Sequence, residues 1–242
     1  MDRISRIKDS YDPNIIIDKL LKKLGFIEVK DNIKIQYIKD GFSGYAAQLS
    51  PNDIRIVVEP IESLDSLRTL FHELGHAILY SLNRGEGLFR ILPACVDESM
   101  AVVFEYIATV LFVKGVDKEK VFELMTLEYI RCAISALFEF DLWKEPDKAE
   151  ELYVKHYSKL GLKVNDPTIW AFDSFRSLDP VYIHNYVIGA SLVEKLIEYL
   201  NQMYSNDFSA WGKWLYNNVI ERINTLEPLL LYKVLMKGDR QE

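Results

Sequence analysis

The first sixty residues combine one helical stretch with short segments that have the two-residue period of a strand. Pro13 and Gly25 bracket a run with helical spacing of its apolar residues, with the proline at its first position and the glycine just past its end. Apolar and polar residues alternate over 33–37, and the β-rich run 53–59 is followed directly by a proline. Residues 40–45 contain two glycines and are predicted to form a turn or loop. We therefore expect a small antiparallel sheet near the N-terminus.

From residue 61 onward the apolar positions recur at the three- and four-residue spacing of amphipathic helices, as Leu67 and Leu70 illustrate. The first of these predicted helices is capped by Ser63, Asp65 or Ser66 and runs to residue 82. The others cover, in chain order, residues 94–113, 117–140, 146–161, 179–204, 207–223 and a last segment from 225. No repeat or low-complexity linker divides the chain. The predicted fold class is mainly α, in a single domain over 1–242 with a helix and sheet in 1–60 and a helical core in 61–242.

Composition and charge exclude several classes of function. The chain has 36 acidic and 29 basic residues, a net charge of -7, and no basic run, which argues against a nucleic-acid partner. No stretch has the length of a membrane span, and the first twenty residues lack the pattern of a secretory signal. We therefore expect no membrane partner and a cytoplasmic location. Cys95 and Cys132 lack a metal-binding spacing and are expected to be free, buried thiols.

The strongest chemical signal is the HExxH pattern His72-Glu73-Leu74-Gly75-His76. On a helix this spacing places two imidazoles one turn apart on one face, which suits a metal ion. Glu73 points toward the same cavity at a different angle and could take a proton from a metal-bound water. We therefore predict that His72 and His76 are zinc ligands and that Glu73 is the general base rather than a ligand.

A catalytic zinc site needs a third protein ligand and one open position. Glu98 lies near the start of the next predicted helix, and Glu105 follows seven positions later on the same face. Glu98 is the predicted ligand, while Glu105 could accept a hydrogen bond from a ligand imidazole and fix its orientation. Asp97 is a competing ligand, although it falls about 100° away from the face that Glu98 and Glu105 share.

These residues resemble a known group of peptidases. The motif 72–76, the run Glu98-Ser99-Met100-Ala101 and Glu105 are similar to the zinc signature of the thimet oligopeptidase and oligoendopeptidase F family, and to that of the related Taq-type carboxypeptidases. The lead-in 67–71 and the segment 137–142 resemble the family by pattern. The resemblance implies a multi-helix, zincin-like catalytic domain with one Zn²⁺ per chain, bound by His72, His76 and Glu98 beside a supporting Glu105.

The resemblance also reaches the segment 182–189, which ends in a Tyr-x-x-Gly step. In the family, the tyrosines of this segment lie across the cleft from zinc and help to bind the transition state. Tyr186 matches this role best and Tyr182 second. The family places a histidine several residues upstream, where this chain has none, so His184 is an alternative for that role. His156 is expected to be structural.

The resemblance implies a zinc-dependent metallopeptidase that hydrolyses small peptides. Full-length members of the family have a larger N-terminal part that walls the catalytic channel, so this chain is expected to have a shallow cleft unless a homo-oligomer rebuilds the wall. The strand 53–59, if it lies at the sheet edge, could bind an extended peptide by backbone pairing.

Three other functions stay open at this stage. The chain could be a catalytically inactive, zinc-bound scaffold or regulatory protein, or a helical binding module in which the HExxH pattern is incidental. It could also be a zinc hydrolase of a non-peptide amide, which would use the same chemistry.

Overall fold

The computed structural model describes residues 11–39, 43–85, 92–161, 163–172, 176 and 179–223. The last predicted helix, from residue 225, lies outside the described residues, as does part of the predicted loop at 40–45.

The first element is helix α1, Pro13–Leu24, which begins at the predicted proline and ends just before the predicted glycine. The Asp12 side chain accepts a hydrogen bond from the backbone N–H of Asn14, and Gly25 closes the helix with a φ of 81°. The inward face of α1 is apolar and fully buried, through Ile16, Ile17, Leu20, Leu21 and Leu24. This face anchors α1 to the main core.

The sheet has three strands: β1 Ile33–Tyr37, β2 Gly44–Ser50 and β3 Asp53–Val58. Their order is β1-β3-β2, with β1 parallel to β3 and β2 antiparallel to β3. The sheet is therefore mixed rather than wholly antiparallel as predicted. No strand is predicted at β2, whose two large apolar residues, Tyr45 and Leu49, are exposed while its buried position is the small Ala46.

The position of β3 overturns one hypothesis about peptide binding. β3 is the central strand and pairs on both sides, so its backbone groups are not free to bind a peptide. The strands at the edges of the described sheet are β1 and β2.

The remainder of the described chain is mainly helical, as predicted. The α-helices after the sheet are α2 Leu64–Leu82, α3 Ala94–Phe112, α4 Gly115–Leu142, α5 Ala149–Tyr157, α6 His184–Tyr204 and α7 Phe208–Leu215, the last continuing into a π-turn at Tyr216–Ile220. Short 3₁₀ turns occur at Ile27–Asn32, Pro146–Lys148, Ser158–Leu160 and Pro167–Phe172. Within the described ranges, no helix is both long enough and apolar enough to span a membrane.

Helix α2 is the centre of the packing. A reciprocal pair of hydrogen bonds between Ser63 and Ser66 caps its start. The helix then packs against the sheet on one side and against α3 on another, and α3 in turn packs against α6. Phe71 of α2 and Phe104 of α3 are fully buried in the shared core.

The contact between α2 and α3 is close enough for their backbones to touch. A Cβ atom on Gly75 would lie 2.7 Å from the Ala101 Cα atom and 2.8 Å from its carbonyl oxygen. Only glycine leaves room for this approach, which explains the residue at the fourth position of the HExxH pattern.

We expect Gly75→Ala to lower the free energy of unfolding by about 1–3 kcal/mol, because the new methyl group overpacks the contact between the two helices. Urea titrations measure this change in the free energy of unfolding. Its sign distinguishes the two cases, because an alanine without a clash would stabilise the helix by about 1 kcal/mol. Gly189→Ala is the matched comparison. Its Cβ would lie 3.2 Å from the Ser99 backbone, so its cost should be smaller. A Gly75→Ala protein as stable as the wild type would contradict the proposed contact.

Candidate metal centre

Helices α2 and α3 bring His72, His76 and Glu98 together. One ligand atom from each residue lies within 4.8 Å of the other two, and all three side chains are buried. The Glu98 Oε2 atom is 3.2 Å from His72 Nε2 and 3.6 Å from His76 Nε2. Neither Glu98 Oε2 nor His72 Nε2 has a hydrogen-bond partner in the described part of the chain. Two nitrogens and one oxygen that are aimed at a common point form a group that could hold a metal ion.

A carboxylate lies behind each imidazole. Glu105 Oε2 is 3.0 Å from His72 Nδ1, and Asp97 Oδ1 is 2.6 Å from His76 Nδ1. A carboxylate in this position holds the Nδ1 proton and directs the free Nε2 electron pair toward the other ligands. Glu105 therefore lies where its predicted supporting role requires.

Asp97 has a role that the sequence did not reveal. The competing ligand Asp97 lies at the back of His76, because neighbouring residues of α3 point in directions about 100° apart, while Glu98 faces the cluster. The Tyr80 hydroxyl donates to the other Asp97 oxygen at 2.7 Å. Arg68 supports Glu105 in a similar way, with Nη1 donating to Oε1 at 3.2 Å. The available signal was the four-residue spacing of Arg68 from His72 and of Tyr80 from His76, which places each pair on one face of α2.

The pKa values of the cluster reflect burial and mutual contact. Burial disfavours a charged His72, but contacts with Glu105 and Glu98 outweigh it and raise the pKa of His72 to about 9. The pKa of His76 is likewise raised, against burial, by Asp97 and Glu98. Burial disfavours the charged Glu98 as well, yet the two imidazoles hold its pKa well below the usual range. A metal ion binds neutral imidazole, so binding at this group would be coupled to the release of protons.

Glu73 lies between the sheet and the cluster. Its carboxylate is packed against the first residue of β2, since a Cβ atom on Gly44 would lie 2.9 Å from Glu73 Oε1. Burial raises the pKa of the Glu73 carboxyl above its usual value. Such a shift moves a carboxylate toward the range in which it can act as a general base near neutral pH.

A cleft of about 520 Å³ opens beside the cluster. Its lining includes His72, Glu73, Thr69, Arg68, Tyr129, Arg131 and Tyr186. Tyr129 and Arg131 could not be predicted as lining residues from the sequence. They lie on α4, more than fifty residues from the motif, and no local sequence pattern marks them. Glu73 and the His72 imidazole therefore lie at the wall of this cleft.

Two of the predicted tyrosines reach this centre. The Tyr182 hydroxyl donates to Glu98 Oε1 at 2.6 Å. The Tyr186 ring lies roughly parallel to His72, with 6.0 Å between ring centroids, and lines the cleft. Tyr182 is 6.0 Å from Tyr186 in an edge-on arrangement.

The other two histidines lie elsewhere. The His184 Nδ1 atom contacts the Val181 carbonyl, and its ring is 6.5 Å from that of Phe140. His184 is not among the described residues that line the cleft. His156 is buried, and its Nε2 atom lies 2.9 Å from Asp141 Oδ2, within hydrogen-bond distance.

The sequence matches no protein-family model, and no curated protein matches it. The fold, in contrast, has clear relatives among solved structures. A protein designated BsuCP superposes with a TM-score of 0.70 at 15% identity, over 97% of this chain and 56% of BsuCP. The M32 carboxypeptidase from Deinococcus radiodurans R1 gives a TM-score of 0.68 at 15% identity, over 95% of this chain and 56% of that protein.

A third structure is that of a Bacillus anthracis str. Ames protein named as an oligoendopeptidase F. It gives a TM-score of 0.68 at 14% identity, over 95% of this chain and 43% of that protein. The chain thus spans between 43% and 56% of the length of these three structures. The chain has the fold that M32 carboxypeptidase and oligoendopeptidase F share, as the resemblance of its HExxH and Glu98 motifs to these peptidases predicted.

Proposed function

We propose that the protein is a zinc-dependent metallopeptidase that hydrolyses small peptides. The observation that carries this proposal is the cluster of His72, His76 and Glu98 beside Glu73, at the wall of an open cleft. Two imidazoles and one carboxylate are a donor set typical of catalytic zinc, which keeps a fourth position for water or substrate. The buried Nε2 of His72 and Oε2 of Glu98 lie 3.2 Å apart, have no hydrogen-bond partner among the described residues and fit such an ion.

Zinc bound by these three residues would polarise the scissile carbonyl and lower the pKa of water at its open position. Glu73 accepts the proton of the attacking water and passes it to the leaving amine. Hydrolysis of an amide develops negative charge on the carbonyl oxygen, which requires a nearby donor. Tyr186 is the better donor of the two tyrosines, because the Tyr182 hydroxyl already donates to Glu98.

The outer edge of β2 is the proposed binding surface for the peptide backbone. Within the described residues, β2 pairs only with β3, so its other edge is open. Its first residue, Gly44, packs directly against Glu73. A peptide that pairs with this edge would lie in extended form beside the proposed general base. The cleft volume of about 520 Å³ suits a segment of a few residues rather than a folded protein.

We expect the purified protein to cleave members of a quenched-peptide library and to lose this activity on treatment with a zinc chelator. Added Zn²⁺ should restore the activity, and mass analysis of the products gives the cleavage position. Turnover that persists after complete removal of the metal would contradict a zinc mechanism. Cleavage only of non-peptide amides would retain the chemistry and change the substrate class.

We expect Glu73→Gln to retain bound zinc and to lower kcat by about 10²–10⁴-fold, because the amide cannot accept the proton of the attacking water. Zinc content by elemental analysis and initial rates on the best library peptide measure the two effects. Glu123→Gln, at an exposed position of α4, is the matched control. Undiminished turnover by Glu73→Gln would refute the assignment of the general base.

We expect Asp97→Ala to weaken zinc binding by about 10–100-fold, because His76 loses the acceptor that fixes its orientation. Asp97→Asn keeps one acceptor oxygen and should lose less. Competition with a chelating dye gives both dissociation constants. Unchanged affinity in the alanine variant would show that Asp97 does not position the imidazole.

A further inference from the structure

The segment that carries the two tyrosines begins with an unusual backbone conformation. Val181 has a φ of 63°, in the left-handed region that a β-branched residue rarely adopts. Such a conformation is strained and persists only where the surroundings impose it. The helix predicted from residue 179 begins instead at His184, three residues after Val181.

The surroundings that impose this conformation are on α4. The backbone N–H of Val181 donates to Glu139 Oε1 at 2.5 Å. Glu139 is only 2% exposed, and the Trp143 indole also donates to its Oε1 atom at 3.3 Å. A buried carboxylate that accepts a backbone N–H holds that N–H in one direction.

Arg176 supplies the opposite charge for this buried carboxylate. Its Nε atom lies 3.9 Å from Glu139 Oε2, and its Nη2 atom donates to Ser135 Oγ at 2.9 Å. The guanidinium lies over the Phe138 ring, 5.0 Å from the centroid. These contacts fix the position of Arg176 and place its positive charge beside the buried Glu139 carboxyl group.

The other end of the segment reaches the metal centre. Tyr182 directly follows Val181 and donates to Glu98 Oε1. The Asn185 side chain donates to the Tyr182 carbonyl at 2.8 Å, which ties Tyr182 to the first turn of α6. Tyr186 follows on that turn and lies against His72. Residues 181–186 thus link α4 to the cluster.

We propose that Glu139 is a positioning residue for the proposed hydrolysis. Its carboxylate holds Val181 in the left-handed conformation and thereby sets Tyr182 on Glu98 and Tyr186 over the cleft. We call the Glu139 carboxylate with its hydrogen bond to Val181 N–H the Glu139 clamp. Its effect on turnover rests on the proposed peptidase function, whereas its effect on the segment does not.

Hydrogen exchange followed by mass spectrometry tests the clamp without reference to activity. In Glu139→Ala, we expect the peptide that covers residues 179–186 to exchange faster than in the wild type. Glu139→Gln retains an oxygen that can accept from Val181 N–H and should stay nearer the wild type. Asp141→Ala is the control, because Asp141 lies on the same helix but pairs with His156. Unchanged exchange in Glu139→Ala would overturn the clamp.

The kinetic test separates a positioning role from a merely structural one. We expect Glu139→Ala to lower kcat by about 10–100-fold with KM within about twofold, and Glu139→Gln to recover most of the loss. Asp141→Ala should keep the wild-type kcat. In a protein that already carries Tyr186→Phe, we expect Glu139→Ala to lower kcat by less than a further factor of about three, because both changes remove the same donor. Losses that multiply in the double variant would overturn the proposal.

A second variant removes the same hydrogen bond from the donor side and leaves the buried pair of Glu139 and Arg176 intact. Val181→Pro has no N–H and fixes φ near -65°, so it should reproduce the loss of kcat even if Glu139→Ala does not fold. Wild-type kcat in Val181→Pro would overturn the proposal. If the wild-type protein cleaves no peptide, the proposed function fails, and the exchange experiment alone decides whether the clamp exists.

Discussion

The site depends on the close approach of α2 and α3 at Gly75 and Ala101. The two helices carry all three candidate metal ligands, with His72 and His76 on α2 and Glu98 on α3. Because the backbones touch, the histidine and glutamate side chains are long enough to bring two nitrogens and one oxygen within 4.8 Å of one another. A wider helix spacing would leave Glu98 short of the imidazoles, so the glycine in the motif has a structural role in addition to its place in the pattern.

That approach also buries several charged groups, and the cluster is built to accommodate them. Each imidazole contacts Glu98 on one side and a second carboxylate on the other, and those second carboxylates have donors of their own in Arg68 and Tyr80. Charges in a low-dielectric interior are tolerated when each has an opposite charge or a hydrogen bond. The chains Arg68–Glu105–His72 and Tyr80–Asp97–His76 meet this condition and orient the rings at the same time.

The cleft is assembled from elements that lie far apart in sequence. Helix α2 contributes Glu73, which packs against Gly44 of β2, while α4 contributes Tyr129 and Arg131 and the start of α6 contributes Tyr186. The segment that carries the two tyrosines is hydrogen-bonded to two helices. Tyr182 donates to Glu98 on α3, and the backbone N–H of Val181 donates to Glu139 on α4. We therefore expect changes in α4 to affect the proposed chemistry without touching a candidate metal ligand.

The sequence by itself determined the helical class, the first helix and the chemistry of the motif. Those features follow from short-range patterns, such as Pro13 and Gly25 around one helix or the one-turn spacing of His72 and His76. Glu98 and Glu105 could also be predicted as a pair, because a seven-residue spacing places them on one face of a single helix.

Only the tertiary structure decided how these pieces meet. The parallel pairing of β1 with β3 and the inner position of β3 depend on where the chain crosses the sheet, which no local pattern specifies. Asp97 directly precedes Glu98 in the sequence, but its partner His76 lies on another helix. The contact between Asp97 and His76 therefore follows from the packing of α2 against α3 and from no local pattern. Val181 and Glu139 are 42 residues apart, and nothing in either local sequence indicates a strained backbone held by a buried carboxylate. Long-range contacts of this kind depend on packing geometry, whereas periodicity and spacing report only what neighbours along the chain can do.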